Sequence, residues 1–122
     1  PVTLPALQEA NKIQKKVAAV GFEYNNDIEA IKKVNEELNE LKKEIKTKNK
    51  KKIREELGDL IFAVLDVSRK LKLDPESVLK QSNKKFSTRW KKLEKYTNKE
   101  NLKLNNLSIN QYNKIWNEVK KN

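Results

Sequence analysis

The chain contains neither cysteine nor histidine. Without cysteine there is no disulfide scaffold, no thiolate metal site and no cysteine nucleophile. Without histidine there is no Ser-His-Asp triad, no His-ligated zinc and no imidazole base. Acid, base or metal chemistry therefore falls to carboxylates, lysine, tyrosine or water. No apolar stretch approaches the roughly 18–20 residues that span a bilayer, and no leader with an apolar centre opens the sequence. We expect a cytoplasmic protein with no membrane partner. Methionine is also missing, and the sequence starts Pro1-Val2-Thr3-Leu4-Pro5. That start suggests processing, or excision from a longer protein. Punctuation is sparse, with Gly 2 and Pro 3 in 122 residues. Alternation of β-branched and aromatic residues is nearly absent, so the expected fold is all-α.

What the chain has in excess is positive charge. Lys+Arg 28 against Asp+Glu 17 gives a formal charge of +11. Such a balance suggests nucleic acid or a phosphate-rich ligand.

The length predicts one domain over residues 1–122. Residues 5–20 read as a first helix ending at Gly21. Asp27 is a candidate cap for a second helix over 28–47. Its stripe is Ile31, Val34, Leu38, Leu41 and Ile45, at helical spacing. The basic run from Thr47 to Lys52 reads as an exposed turn. A third helix is expected over roughly 51–73. Within it, Leu60 to Leu65 is apolar without a break, so it must be covered on more than one side. A chain of this size has few elements to cover it, which predicts a homodimer. Asp74-Pro75 restarts the chain as cap and first helical residue. A basic fourth helix is expected over 75–97 and an Asn- and Lys-rich loop over 98–107. Ser108 then caps a short helix over 108–120. The expected architecture is a helical bundle of about four main helices plus a short C-terminal helix, completed by homodimerisation.

Two acidic clusters fall on consecutive helices: Glu36-Glu37-Leu38-Asn39-Glu40 and Glu55-Glu56-Leu57-Gly58-Asp59. On a helical wheel, Glu37 and Glu40 border the apolar stripe of the second helix, while Glu36 faces outward. Glu56 and Asp59 flank the stripe of the third helix, with Asp66 two turns further on. If the two helices pack antiparallel, four carboxylates converge. Ionised carboxylates crowded beside an apolar run repel one another and resist desolvation. A hard divalent cation such as Mg²⁺ or Mn²⁺ relieves both penalties. Two such ions ~3.5–4 Å apart can activate a water and hold a phosphate. Either motif alone is an ordinary solvated helix face with lysine pairs. Gly58 adds weight, because glycine inside a helix costs roughly 1 kcal/mol against alanine. Its retention suggests close backbone approach beside Asp59.

Arginine is scarce, occurring only as Arg54, Arg69 and Arg89. Lys85 and Arg89 are i, i+4 on the fourth helix and suit contact with phosphate. Trp90 reads as core. Trp116 reads either as core or as a platform for a base.

At these residues the chain resembles the MazG nucleotide pyrophosphohydrolases, within the all-α nucleoside-triphosphate pyrophosphatase superfamily. The residues carrying the resemblance are Glu36-Glu37-x-x-Glu40, Glu55-Glu56-x-x-Asp59, the GDLIF that starts at Gly58, and Asn83-x-Lys85-Phe86-x-x-Arg89. Upstream, LPALQEANKIQKKVAAVGFEY looks like the opening of the second domain in two-domain members. Downstream, IWNEVK looks like that domain's last helix. The resemblance implies a dimeric helical bundle that hydrolyses nucleoside triphosphates to monophosphate and pyrophosphate. It implies Mg²⁺ as cofactor, with Mn²⁺ as a substitute, held by Glu37, Glu40, Glu56 and Asp59. It implies that Lys85 and Arg89 hold the phosphates and that Trp116 stacks on the base. Lys33 and Glu36 match positions near the substrate. In the implied mechanism a metal-activated water attacks the α-phosphorus, and Glu37 or Glu40 orients or deprotonates it. Asp66 stands where close relatives are expected to carry Asn.

Other readings compete. One is a pyrophosphatase selective for dUTP or a modified nucleotide. Another is a non-enzymatic basic helical module binding nucleic acid, and a third is a helical interaction module such as a toxin–antitoxin partner. Against nucleic acid, lysine is spread over every helix and no recognition-helix motif occurs. Residues 42–54 hold eight basic residues and one acidic, and residues 80–103 hold nine and two. Acidic clusters next to such runs suit a polyanionic nucleotide more than a nucleic-acid backbone.

Overall fold

The structure is a computed structural model describing residues 4–121; the Pro1-Val2-Thr3 start lies outside them. Five α-helices and one short 3-10 turn account for the regular structure, and no strand occurs among the described residues. The all-α expectation holds. The helices are α1 (Ala6–Ala19), α2 (Asp27–Thr47), α3 (Lys50–Lys70), α4 (Pro75–Lys99) and α5 (Ile109–Lys120). The chain divides into two compact units, one up to Val78 and one from Leu79 onward.

In the first unit, α2 and α3 form an antiparallel hairpin and α1 packs on α3. Two small side chains, Ala30 on α2 and Ala63 on α3, are buried in this unit. α1 ends because Gly21 takes φ 94°, a left-handed conformation that glycine adopts without penalty. The amides of Gly21 and Phe22 then turn back to the carbonyls of Ala18 and Val17, at 2.9 and 3.0 Å. This double closure satisfies carbonyls that the helix end leaves free.

The cap of α2 is Asn26 rather than Asp27. Its side-chain oxygen accepts from the Glu29 backbone N–H at 2.9 Å. Asp27 instead becomes the first helical residue, where its negative charge still suits the helix dipole. The turn between α2 and α3 is also shorter than the basic run suggests. Only Lys48, at φ 59°, and Asn49 lie outside helix. Asn49 caps α3 by accepting from the Lys52 N–H at 3.2 Å, which draws Lys50 to Lys52 into the first turn. At its other end α3 stops at Lys70, because Lys72 adopts φ 61°. Asp74 caps α4 through the Ser77 N–H at 3.0 Å, as the Asp-Pro pair predicts.

In the second unit, α5 packs against α4 around Leu93, Ile115 and Val119. Ser108 and Gln111 form a reciprocal capping box at the start of α5. Trp90 packs on this core and stacks on Tyr112, with centroids 6.4 Å apart. The Tyr112 hydroxyl donates to the Leu104 carbonyl in the 3-10 turn Leu104–Asn106. Trp116 also packs against the core, tilted against Phe86 at 4.9 Å.

One expectation is not met within this chain. A Cβ built at Gly58 meets nothing within 4 Å. Among the described residues, nothing beyond the helix itself approaches the backbone there.

Candidate functional site

The α2–α3 hairpin does bring carboxylates together. Glu37 from α2 and Glu56 and Asp59 from α3 each offer an oxygen within 4.8 Å of the others. Glu56 and Asp59 lie i, i+3 on one helix face, and the antiparallel partner supplies Glu37 across the seam. Crowding has an electrostatic cost. Partial burial pushes the Glu56 carboxyl above its usual range, and the charges of Asp59, Glu37, Glu40 and Glu44 add to the shift. Glu37 is well enclosed, its side chain 13 % exposed, and Lys33 partners it at 2.9 Å. That hydrogen bond holds the Lys33 ammonium above the ordinary lysine range.

Other predicted residues sit further out. Glu40 is not in the tight group. Its side chain is 49 % exposed and turned toward Lys43 at 3.6 Å, although its charge still reaches Glu56. Glu36 points to solvent, 3.7 Å from Lys33. In the second unit, Lys85 is exposed and Arg89 half-buried on α4.

A cleft of about 510 Å³ opens beside the carboxylates within the first unit. Glu23, Lys33, Glu37, Asp59 and Asp66 supply its charged lining, and Phe22, Tyr24 and Phe62 its aromatic lining. Asp66 is already engaged by Arg69, with Nε 2.7 Å from Oδ1. Arg69 also reaches Glu23 at 3.4 Å, and Lys70 meets the same Glu23 oxygen at 2.8 Å. These pairs tie the α1–α2 connection, one wall of the cleft, to the end of α3. The hydrogen bond from Lys70 holds the Glu23 carboxyl below its usual range.

Sequence reasoning missed Gln14, Glu23, Tyr24 and the role of Arg69. Gln14 had a signal. With Asn11, it interrupts the inward stripe of α1, otherwise Leu7, Ala10, Val17 and Ala18, and its polar side chain is 2 % exposed. Arg69 had its rarity. The Glu23 pairing had none, since its partners lie 46 and 47 residues away.

Comparison with known proteins supplies the family. Residues 26–94 match the MazG nucleotide pyrophosphohydrolase domain. That span contains both acidic motifs, the hairpin and the Lys85/Arg89 pair. The chain is 38 % identical over 117 residues to the nucleoside triphosphate pyrophosphohydrolase/pyrophosphatase MazG of Thermotoga maritima, covering 96 % of this chain and 45 % of that protein. It is 33 % identical over 123 residues to the nucleoside triphosphate pyrophosphohydrolase of Escherichia coli K12, covering 99 % of this chain and 47 % of that one. The chain thus spans about half the length of these curated relatives. With its motifs in order and its carboxylates gathered on one hairpin, the chain belongs to the MazG nucleotide pyrophosphohydrolase family.

Proposed function

We propose that the chain is a nucleoside triphosphate pyrophosphohydrolase of the cytoplasm that uses Mg²⁺. The observation carrying this is the group of three carboxylate oxygens within 4.8 Å, contributed by two helices beside an aromatic-lined cleft. Three hard oxygen donors that repel one another fit Mg²⁺, with Mn²⁺ as a substitute. Glu37, Glu56 and Asp59 would hold the ion, with Glu40 joining by a rotation away from Lys43. When bound, such an ion supplies charge neutralisation at phosphate oxygens and lowers the pKa of water.

The chain's own residues supply the rest. Lys33 orients Glu37 through their hydrogen bond. A carboxylate of this group accepts a proton from water as its oxygen bonds to the α-phosphorus. The bond from the α-phosphorus to the bridging oxygen breaks, and pyrophosphate leaves with the electron pair. Lys85 and Arg89 bind phosphate oxygens, Trp116 stacks on the base, and Glu36 tunes Lys33 from the solvent side. The whole chain acts as one MazG-type domain.

The active form is a homodimer. Leu57, Ile61 and Val64 follow one face of α3, and each is 45–49 % exposed. Contiguous apolar surface of this kind marks an interface. No helix among the described residues is long and apolar enough to cross a membrane.

The test is a panel of ribo- and deoxyribonucleoside triphosphates with Mg²⁺, with products identified. Monophosphate and pyrophosphate in equal amounts are expected. Orthophosphate as the first product excludes attack at the α-phosphorus. A strong preference for dUTP or one modified nucleotide would narrow the substrate within the same chemistry. Light scattering on the eluting protein checks the dimer, and a stable monomer overturns it.

A further inference from the structure

Arg69 is one of three arginines in the chain, and its side chain is only 10 % exposed. Its guanidinium holds two carboxylates from different parts of the first unit. Nε donates to Asp66 Oδ1 on α3 at 2.7 Å, and Nη1 lies 3.4 Å from Glu23 Oε1 on the α1–α2 connection. Asp66 and Glu23 both line the cleft beside the acidic group, whereas Arg69 lies outside its lining. A guanidinium is a rigid plane whose donors point in fixed directions, so this one side chain sets the two carboxylates relative to each other. An ammonium is a point charge and carries no such geometry.

The connection has little else to hold it. The body of α1 is fastened to α3 by Gln14, whose Nε2 donates to the Phe62 carbonyl at 2.9 Å. Past the end of α1, among the described residues, the other hydrogen bonds of residues 21–26 all go to near neighbours in sequence. Only the Glu23 side chain makes a polar contact with α3, through Arg69 and Lys70. Phe22 is 80 % exposed, so packing does little to fix it. Yet this segment brings Phe22 and Tyr24 to the cleft. We propose that Arg69 is a positioning residue for substrate binding, which keeps two walls of the cleft in receptive geometry by holding Glu23 and Asp66 together. This rests on the nucleotide reading above and adds to it a residue that touches neither substrate nor ion. A wall that the substrate must itself put in order weakens apparent affinity in proportion to the time the wall is out of place.

The test measures kcat and KM with Mg²⁺ and the best nucleoside triphosphate for wild type, Arg69→Met, Arg69→Lys and Glu23→Gln. Arg69→Met should raise KM by about tenfold, the scale of a lost charge-assisted hydrogen bond, with kcat within about twofold of wild type. Arg69→Lys, which can meet one carboxylate but not hold both, should fall between. Calorimetric binding of the corresponding α,β-imido triphosphate should weaken by the same factor as KM rises. Hydrogen exchange of residues 21–26, read by mass spectrometry, should quicken in Arg69→Met more than that of α1 or α3. A merely structural role has a different signature: a destabilised variant loses active molecules, which lowers kcat and leaves KM alone. That result overturns the proposal. If Arg69→Met does not fold, Glu23→Gln carries the same prediction from the other end of the contact, and an unchanged KM there overturns it. Where both fold, their effects on KM should combine to less than the product of the two, and full additivity overturns a shared contact. A wild-type protein that turns over no nucleoside triphosphate overturns the nucleotide reading and this inference with it. Wild-type turnover with KM unmoved in the variants overturns this inference alone.

Discussion

Lys33 and Glu37 face each other across one turn of α2, with Nζ 2.9 Å from Oε1. The ammonium thus neutralises an enclosed carboxylate of the site, in competition with any divalent cation. Lys33→Met should bind Mn²⁺ more tightly, by a factor of up to about five, the scale of a partly exposed ion pair. Its turnover should nevertheless fall, because Glu37 loses its orienting partner. Calorimetric titration with Mn²⁺ beside an activity assay separates the two effects. Weaker Mn²⁺ binding in the variant would show that Lys33 supports the ion rather than opposing it.

Glu56 bears the crowding. Replacing it by Gln removes one of three converging charges while keeping the shape. Without divalent ions, Glu56→Gln should melt at a higher temperature than wild type. With Mg²⁺ the order should reverse, since ion binding stabilises only the chain that holds the ion. Activity should drop by on the order of 100-fold or more. Paired melts with Mg²⁺ and with EDTA check this; unchanged Mg²⁺ stabilisation in the variant would remove Glu56 from the ligand set.

The Glu23 pairs predict an acid dependence of stability. Lys70, and then Arg69, hold the Glu23 carboxyl below its usual range. A lowered folded value means that the stabilisation is complete above the unfolded glutamate value. It is lost as pH falls through the lower folded value. Glu23→Gln should therefore be less stable than wild type at neutral pH. The two should converge in the acid range below the ordinary glutamate value. Denaturant melts across that range measure the gap, and a gap independent of pH would assign it to packing.

Gly58 sits mid-helix with open space above it. Gly58→Ala should stabilise the isolated chain by about 1 kcal/mol through helix propensity alone. Urea melts at low protein concentration read that gain. A variant that also loses the dimer would show that a second copy supplies the close approach this chain lacks.

Much of the hairpin is legible in the sequence, because it is local. The stripe from Ile31 to Ile45 fixes which face of α2 turns inward, and with it the position of Glu37. The i, i+3 spacing of Glu56 and Asp59 does the same on α3. Glu40 departs because a surface side chain one turn further along finds Lys43 nearer than the seam. Asn26 outcompetes Asp27 as cap by one position, a choice decided by backbone conformation rather than residue type. Gln14 and Glu23 are another matter. Their partners lie on α3, nearly fifty residues away, and helical periodicity carries no information about such pairings. The cleft wall is therefore a tertiary product, while the acidic group beside it is almost a secondary one.

That difference bears on the order of assembly. The chain between α2 and α3 is two residues long, so closing the hairpin costs little loop entropy. Every carboxylate of the group lies on those two helices. The repulsion among Glu37, Glu56 and Asp59 is thus incurred while the hairpin zips, before the distant contacts of α1 are in place. We predict that a divalent ion quickens folding as well as steadying the finished protein. Stopped-flow refolding with and without Mn²⁺ would reveal it, and identical rates would place the ion after the folding barrier.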